Sequence, residues 1–336
     1  MLRGYHTKIL DGNHFSATEH RIEELRTIGD APLPGKALVV LDPQLKLAIH
    51  VFPCEDGHAQ ERSLLRSFLE CVEEGDLWIE DRNFCTLGFV FGIRSCKARF
   101  LVRQHAKLPG RLRGRQKYRG RTATGRVYEQ SMELTDPDTG GTLIVRRITV
   151  KLNQPTRDGD KEIHILTNLP QKDANVLKVA DLYRKRWTIE TMFQELTETL
   201  TCEIKTLGYP KAALFAFCLA LVAYNGISVI KASLRSVHGT ETVEDNVSGY
   251  YLSLEISKTY TGMMIAIPAE HWSVFRDMSV AQLVKTLREL ARKVDLTKYQ
   301  KNPRGPKLPS PERIYTGGKT NHVSTARILA RRKTAA

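Results

Sequence analysis

The sequence predicts a mixed α/β protein whose sheet is covered on both faces, and three features carry that expectation. Strand-length apolar runs alternate with amphipathic segments through residues 5–102. Alternating apolar residues broken by turn-rich spacers fill 103–170, and helical spacing resumes after Pro170. The expected organisation is a first core segment (1–102), a basic β-rich insertion (103–170), a second core segment ending in helices (171–297) and a basic Pro-rich tail (298–336).

HTKILDG reads as a short strand ending at Asp11, and KALVVLDPQLKLAIHVF as a hairpin turning at Asp42-Pro43-Gln44. GHAQERSLLRSFLECVEEG has the apolar spacing of a helix, and DLWIEDRNF is a strand ending at Asp81. FVFGIRSCKARFLVRQ supplies a short helix and a fifth strand. In the insertion, VYEQSMEL, GTLIVRRITVKL and EIHILTNL alternate as strands, separated by TDPDTGG and NQPTRDGD. Asp173 or Asn175 is the expected N-cap of the next helix, which carries Glu190. Ala212–Tyr224 reads as a buried helix: its uninterrupted apolar run is shorter than the ~20 residues of a membrane span and is followed by Asn225-Gly226. VAQLVKTLRELARKV is a further helix, residues 235–275 give no clear pattern, and KNPRGPKLPSPERIYTGGKT is expected to be extended or disordered.

The net charge of +14 is concentrated in two places. Residues 103–126 hold nine Lys/Arg and no acid, and residues 301–333 hold nine Lys/Arg and one acid, Glu312. The first tract interleaves Arg111, Arg113, Arg115, Lys117, Arg119 and Arg121 with glycines, which suggests a flexible cationic loop that follows a phosphate backbone. The six cysteines form no CxxC pair, so reduced cytosolic thiols rather than a zinc site are expected. The N-terminus lacks the apolar core of a secretion signal.

Asp11 and Asp81 each end an apolar strand and precede a polar turn, the end of an open α/β sheet where ligands gather. Asp42 also ends a strand, but it fits the hairpin turn, and Asp56, Asp76 and Asp136 sit in loop-like surroundings. In DLYRKRWTIETMFQELT, taken as one helix, Tyr183, Arg186, Glu190, Gln194 and Thr197 fall within about 80° of arc. Leu182, Ile189, Phe193, Leu196 and Leu200 form an apolar stripe beside them, which places Glu190 at the edge of a core. Three converging carboxylates repel unless a divalent cation neutralises them, and hard oxygens favour Mg²⁺ or Mn²⁺. Trp187 is expected to pack on the sheet, and Trp78 to lie in the core.

Together these stretches resemble DDE transposases of the bacterial insertion-sequence four family, whose Glu helix carries Tyr, two residues, Arg, three residues, Glu, six residues, Lys. Tyr183, Arg186 and Glu190 match in order and spacing, with Trp187 after the Arg. ILDGNHF resembles the first-Asp segment, IEDRNF the second, and NPRGPK with HVSTARIL a tail of one branch, so the resemblance spans about residues 5–330. It implies an RNase H-like fold, a mixed five-stranded sheet flanked by helices, with the β-rich insertion before the Glu helix. It also implies a metal triad of Asp11, Asp81 and Glu190 holding two Mg²⁺ or Mn²⁺ ions, with Tyr183 and Arg186 on the phosphate backbone. The implied activity is hydrolysis at element ends of double-stranded DNA and 3′-hydroxyl attack on target DNA, by a homodimer in a synaptic complex, in the bacterial cytoplasm at the nucleoid and without a membrane.

The sequence departs from the family at two points. Thr197 stands where the signature has Lys, and Asp11 lies almost at the start, where relatives have a preceding DNA-binding domain. The chain therefore reads as N-terminally truncated. The alternative reading is a catalytically impaired or repurposed DNA-binding remnant, and a third is a Holliday-junction or RNA nuclease sharing the carboxylates.

Overall fold

The computed structural model describes residues 2–156, 159–303 and 321–335. Ten of its strands lie between residues 6 and 167: β1 (His6–His14), β2 (Ala31–Leu33), β3 (Lys36–Asp42), β4 (Leu47–Cys54), β5 (Asp76–Glu80), β6 (Arg99–Arg103), β7 (Arg111–Thr122), β8 (Gly125–Thr135), β9 (Thr142–Leu152) and β10 (Glu162–Thr167). Two short helices, α1 (Leu65–Leu69) and α2 (Leu87–Ser95), fall among them. The chain then becomes helical: α3 (Val176–Arg184), α4 (Trp187–Glu198), α5 (Pro210–His238), α6 (Thr240–Asn246), α7 (Gly249–Ala266), α8 (Ser273–Arg276) and α9 (Val280–Arg292). β11 (His322–Ser324) and α10 (Thr325–Ala335) close it.

Nine strands form one sheet in the order β4-β3-β1-β5-β6-β10-β9-β8-β7. The first five of these are the strands expected for the core, antiparallel from β4 to β1 and parallel from β1 through β5 to β6. The expectation of a five-stranded sheet is corrected, because β10 pairs antiparallel with β6 and the insertion strands continue the same sheet to β7. The middle of the basic tract, Arg111–Thr122, is likewise an edge strand, not a flexible loop.

Strand alternation sorts the side chains into two cores. Ile9, Val39, Leu77, Ile79, Val127 and Ile148 point to one face, covered by Val179, Leu182, Ile189, Met192 and Leu196 of α3 and α4 and by Phe217 of α5. Leu10, Leu38, Val40, Trp78 and Phe100 point to the other, covered by Phe68 of α1 and by Phe89, Val90 and Ile93 of α2. Burial of Trp78 follows the expectation.

Several elements differ from expectation for identifiable reasons. The helix expected over 57–75 shrinks to a 3-10 turn, Glu61–Leu64, and α1. The helix carrying Glu190 is two helices: at the break, Lys185 and Arg186 donate to the carbonyls of Leu182 and Tyr183, and Thr188 and Ile189 to those of Lys185 and Arg186. These i to i+3 bonds tighten the chain without a helix-breaking residue. Asn175, not Asp173, caps α3 by accepting the Lys178 N–H, while Asp173 accepts the Tyr5 hydroxyl. Of the stretch expected to be extended or disordered, residues 304–320 lie outside the described residues; after it, β11 pairs with β2 and Arg327 binds Asp56.

α5 runs 29 residues, straight through Asn225-Gly226, and is the one described helix long and apolar enough to cross a membrane. It packs against the sheet through Phe217 and Leu221, but Phe215, Leu219 and Val222 are exposed, so only one side is buried as expected. Asn225 does not stop it, because its amide donates to the Ala48 carbonyl at 2.8 Å and accepts the Ala48 N–H at 2.9 Å. The helix side chain thereby satisfies the outer edge of β4. Asn225→Ala leaves both groups unpaired and is expected to lower stability by about 1–3 kcal/mol, read as a shift in urea midpoint without a change in slope.

Candidate active site

β1 and β5 run parallel, with Ile9 opposite Ile79; β1 does not end at Asp11 as expected but runs on to His14, because Gly12, Asn13 and His14 still pair with β3. Asp11 continues the Ile9 series, and Asp81 the Ile79 series, onto the face covered by α3 and α4. Gly12 donates its N–H to Asp11 Oδ1 at 2.9 Å. Asp81 caps the 3-10 turn Arg82–Phe84, its Oδ1 accepting the Asn83 N–H at 2.7 Å.

Arg186, at the α3/α4 break, reaches into this region. Its guanidinium donates to Asp11 Oδ2 at 2.8 Å and to Glu190 Oε1, one turn along α4. The Asp11 and Arg186 side chains are 17% and 14% exposed, whereas Glu190 is 50% exposed. Asp11 and Glu190 are therefore joined through one guanidinium, with the second carboxylate half in solvent. Tyr183 is buried beside Arg186, and burial pushes its hydroxyl far up.

Burial pushes Asp11 up to about 7; Arg186 opposes this, while Asp81 adds to it. Burial alone pulls Arg186 down, but Asp11, Tyr183 and Glu190 outweigh it and hold its pKa above the ordinary value. Two further acids, which no local pattern in the sequence singles out, lie close to Asp11 and Asp81. Glu61 is pushed up by burial and by Asp81, and Glu80 is pushed well up by burial, Asp11 and Asp81. Neither carboxylate oxygen of Glu80 has a partner among the described residues.

Burial of Asp11 makes stability depend on pH. Its folded pKa of about 7 lies above the ordinary 3.8, so between those values the folded chain binds more protons than the unfolded one. This contribution is absent below about pH 4 and destabilises progressively up to about pH 7. In the metal-free protein, Asp11→Asn is therefore expected to flatten the decline of melting temperature with pH across that window. An unchanged decline contradicts the burial assigned to Asp11.

Among the described residues no three His, Cys, Asp or Glu side chains are arranged to hold a metal ion. The donors nevertheless fit a hard cation in chemistry: carboxylates of Asp11 and Glu190 already close on a positive group, and Asp81 charges the same strand ends. Arg186 holds the place between Asp11 and Glu190.

Thr197 is exposed, and its hydroxyl lies 4.0 Å from the Cys202 sulfur. Trp187 does not pack on the sheet as expected; it is 50% exposed on a groove lined also by Thr191, Tyr250 and Lys231.

The cations of β7 are all exposed. Arg113 binds Glu133, and Arg119 binds Glu129 at 3.0 Å; both acids lie on the Val127 side of β8, the sheet face that carries Asp11. Arg121 donates to Asn153 at 3.2 Å. Arg111, Arg115 and Lys117 have no carboxylate partner among the described residues. Gly114 and Gly120, with φ of 68° and 135°, sit in the two register irregularities of this edge strand.

A family model described as Transposase DDE domain matches residues 5–225, more than half of the chain, and takes in β1 to β10 and α1 to α4. No curated protein matches the sequence.

Proposed function

Because the chain belongs to the Transposase DDE domain family, we propose that it is a transposase of the insertion-sequence four type, which cleaves double-stranded DNA at element ends and joins the freed 3′-hydroxyl to target DNA. The observation that carries this reading is the Arg186 guanidinium held between Asp11 and Glu190 while Asp11 feels the charge of Asp81. In this reading Asp11, Asp81 and Glu190 are the catalytic acids on an RNase H-like core, and they hold two Mg²⁺ or Mn²⁺ ions. Such ions activate an attacking oxygen and stabilise a leaving one.

The chain's own residues bind and orient the substrate. Arg186 exchanges its carboxylate partners for phosphate oxygens, which its planar fork can hold bidentately, and the buried Tyr183 fixes the direction of approach. β7 lies along the backbone of the duplex, on the sheet face that carries the acids, and contributes affinity without base readout. Two copies pair in a synaptic complex, acting on DNA in the bacterial cytoplasm.

The test is Mn²⁺-dependent nicking of a duplex carrying the element end, followed by joining to a second duplex, with RNA and four-way junctions as competing substrates. Nicking of duplex DNA followed by joining supports the reading. Cleavage confined to RNA or junctions replaces it with a nuclease of another kind. One feature favours a second reading, a repurposed protein that holds DNA without cutting it: Thr197 supplies no charge where the signature Lys contacts phosphate. Tight DNA binding with no metal-dependent nicking is the result that reading predicts.

A further inference from the structure

Glu61 approaches the strand ends from the face opposite Glu190. It opens the 3-10 turn before α1 and is seated on the peptide next to Asp11: a Cβ at Gly12 would lie 2.2 Å from Glu61 Oε1 and 2.8 Å from its carboxyl carbon. Glycine at position 12 is what lets the carboxylate come this close. The other carboxylate oxygen accepts a long 3.5 Å bond from the Asn83 side chain, and the backbone N–H of the same Asn83 donates to Asp81. Glu61 thus touches the residue after Asp11 and the residue that holds Asp81. Lys36, 1% exposed and bonded to the Ala59 carbonyl, partly offsets its charge. Glu80, next to Asp81 in the chain, is completely buried, and neither of its carboxylate oxygens has a partner among the described residues.

We propose that Glu61 is a positioning residue for Asp11 and Asp81, so that the cation-binding pair is supported from both faces of the sheet. The proposal rests on the metal-dependent reading above. Glu61 acts through Gly12 and Asn83 and adds negative potential where the cation enters. Outer groups of this kind typically change metal affinity by tenfold or more.

The test is calorimetric titration of the full DNA-free chain with Mn²⁺, with thermal unfolding as the check on folding. Glu61→Gln is expected to weaken Mn²⁺ binding by about tenfold while leaving the melting transition cooperative. Gly12→Ala, which pushes the carboxylate away, is expected to weaken it similarly. In the Glu61→Ala background the same Gly12→Ala change is expected to add less than about twofold, since only the end of the Leu38 side chain, 3.1 Å from the new Cβ, then has to give. A merely structural glutamate moves the melting temperature and leaves Mn²⁺ affinity alone. Wild-type affinity in Glu61→Gln, alongside lost binding in Asp81→Asn, overturns this proposal only. Wild-type affinity in Asp81→Asn as well overturns the metal reading and this proposal with it.

Discussion

Asp81→Asn protein keeps its fold and its affinity for duplex DNA but nicks that DNA at least about 10³-fold more slowly than wild type. The magnitude follows from the several kcal/mol that metal-assisted charge stabilisation contributes, at 1.36 kcal/mol per tenfold. The fold survives because an Asn oxygen still accepts the Asn83 N–H that caps the turn after β5. Stability should, if anything, rise: Asp81 is one of the charges that push Asp11 up, and its removal relieves that repulsion. This substitution therefore separates chemistry from folding. Nicking undiminished in Asp81→Asn removes the second strand-end acid from the mechanism.

The second large effect concerns β7. Replacing Arg111, Arg115 and Lys117 together with Gln is expected to lower the salt dependence of duplex binding, d log K/d log[salt], by about 2.7, at 0.9 for each phosphate no longer neutralised. Binding at low salt weakens to the same extent on every sequence, because these side chains meet the DNA backbone rather than the bases. The protein should stay folded, since the three are exposed and have no carboxylate partner among the described residues. Arg113 and Arg119 are the internal comparison: each is already engaged by an acid of β8, so replacing them should alter the slope less. An unchanged slope in the triple variant would leave the β7 charges the different task of keeping an open sheet edge from pairing with another chain.

The legible parts of the fold were those where burial imposes a pattern. β1 and β5 carry apolar runs as far as Asp11 and Asp81, and those runs were readable because both faces of each strand are buried there; that β1 goes on to His14, pairing Gly12 and Asn13 with the buried Leu38 and Ala37 of β3, was not. The apolar stripe of α4 was visible for the same reason, and Ile189 and Leu196 are fully buried. β7 was not legible as a strand: residues 111–119 are exposed on both sides, so no alternation marks them, and the pairing is set by β8. The length of α5 is hidden because Asn225-Gly226 looks like a stop until its partner, the Ala48 backbone, is known. α7 shows little contrast between its faces, with only Leu252 buried, which is why 235–275 has no readable pattern.

At the site, Asp11, Asp81, Arg186 and Glu190 stood out by position and spacing. The break between α3 and α4 did not, because the tightened turn contains no glycine or proline. Glu61 carried no local signal, since its place depends on a glycine 49 positions earlier in the chain.

The most direct measurement is anomalous scattering from crystals of the protein with element-end DNA and Mn²⁺. The account predicts manganese bound by carboxylate oxygens of Asp11 and Asp81, Glu190 turned in toward it, and Arg186 moved from the acids to a phosphate. Manganese bound elsewhere, with Arg186 still joining Asp11 to Glu190 in a complex competent for cleavage, contradicts it.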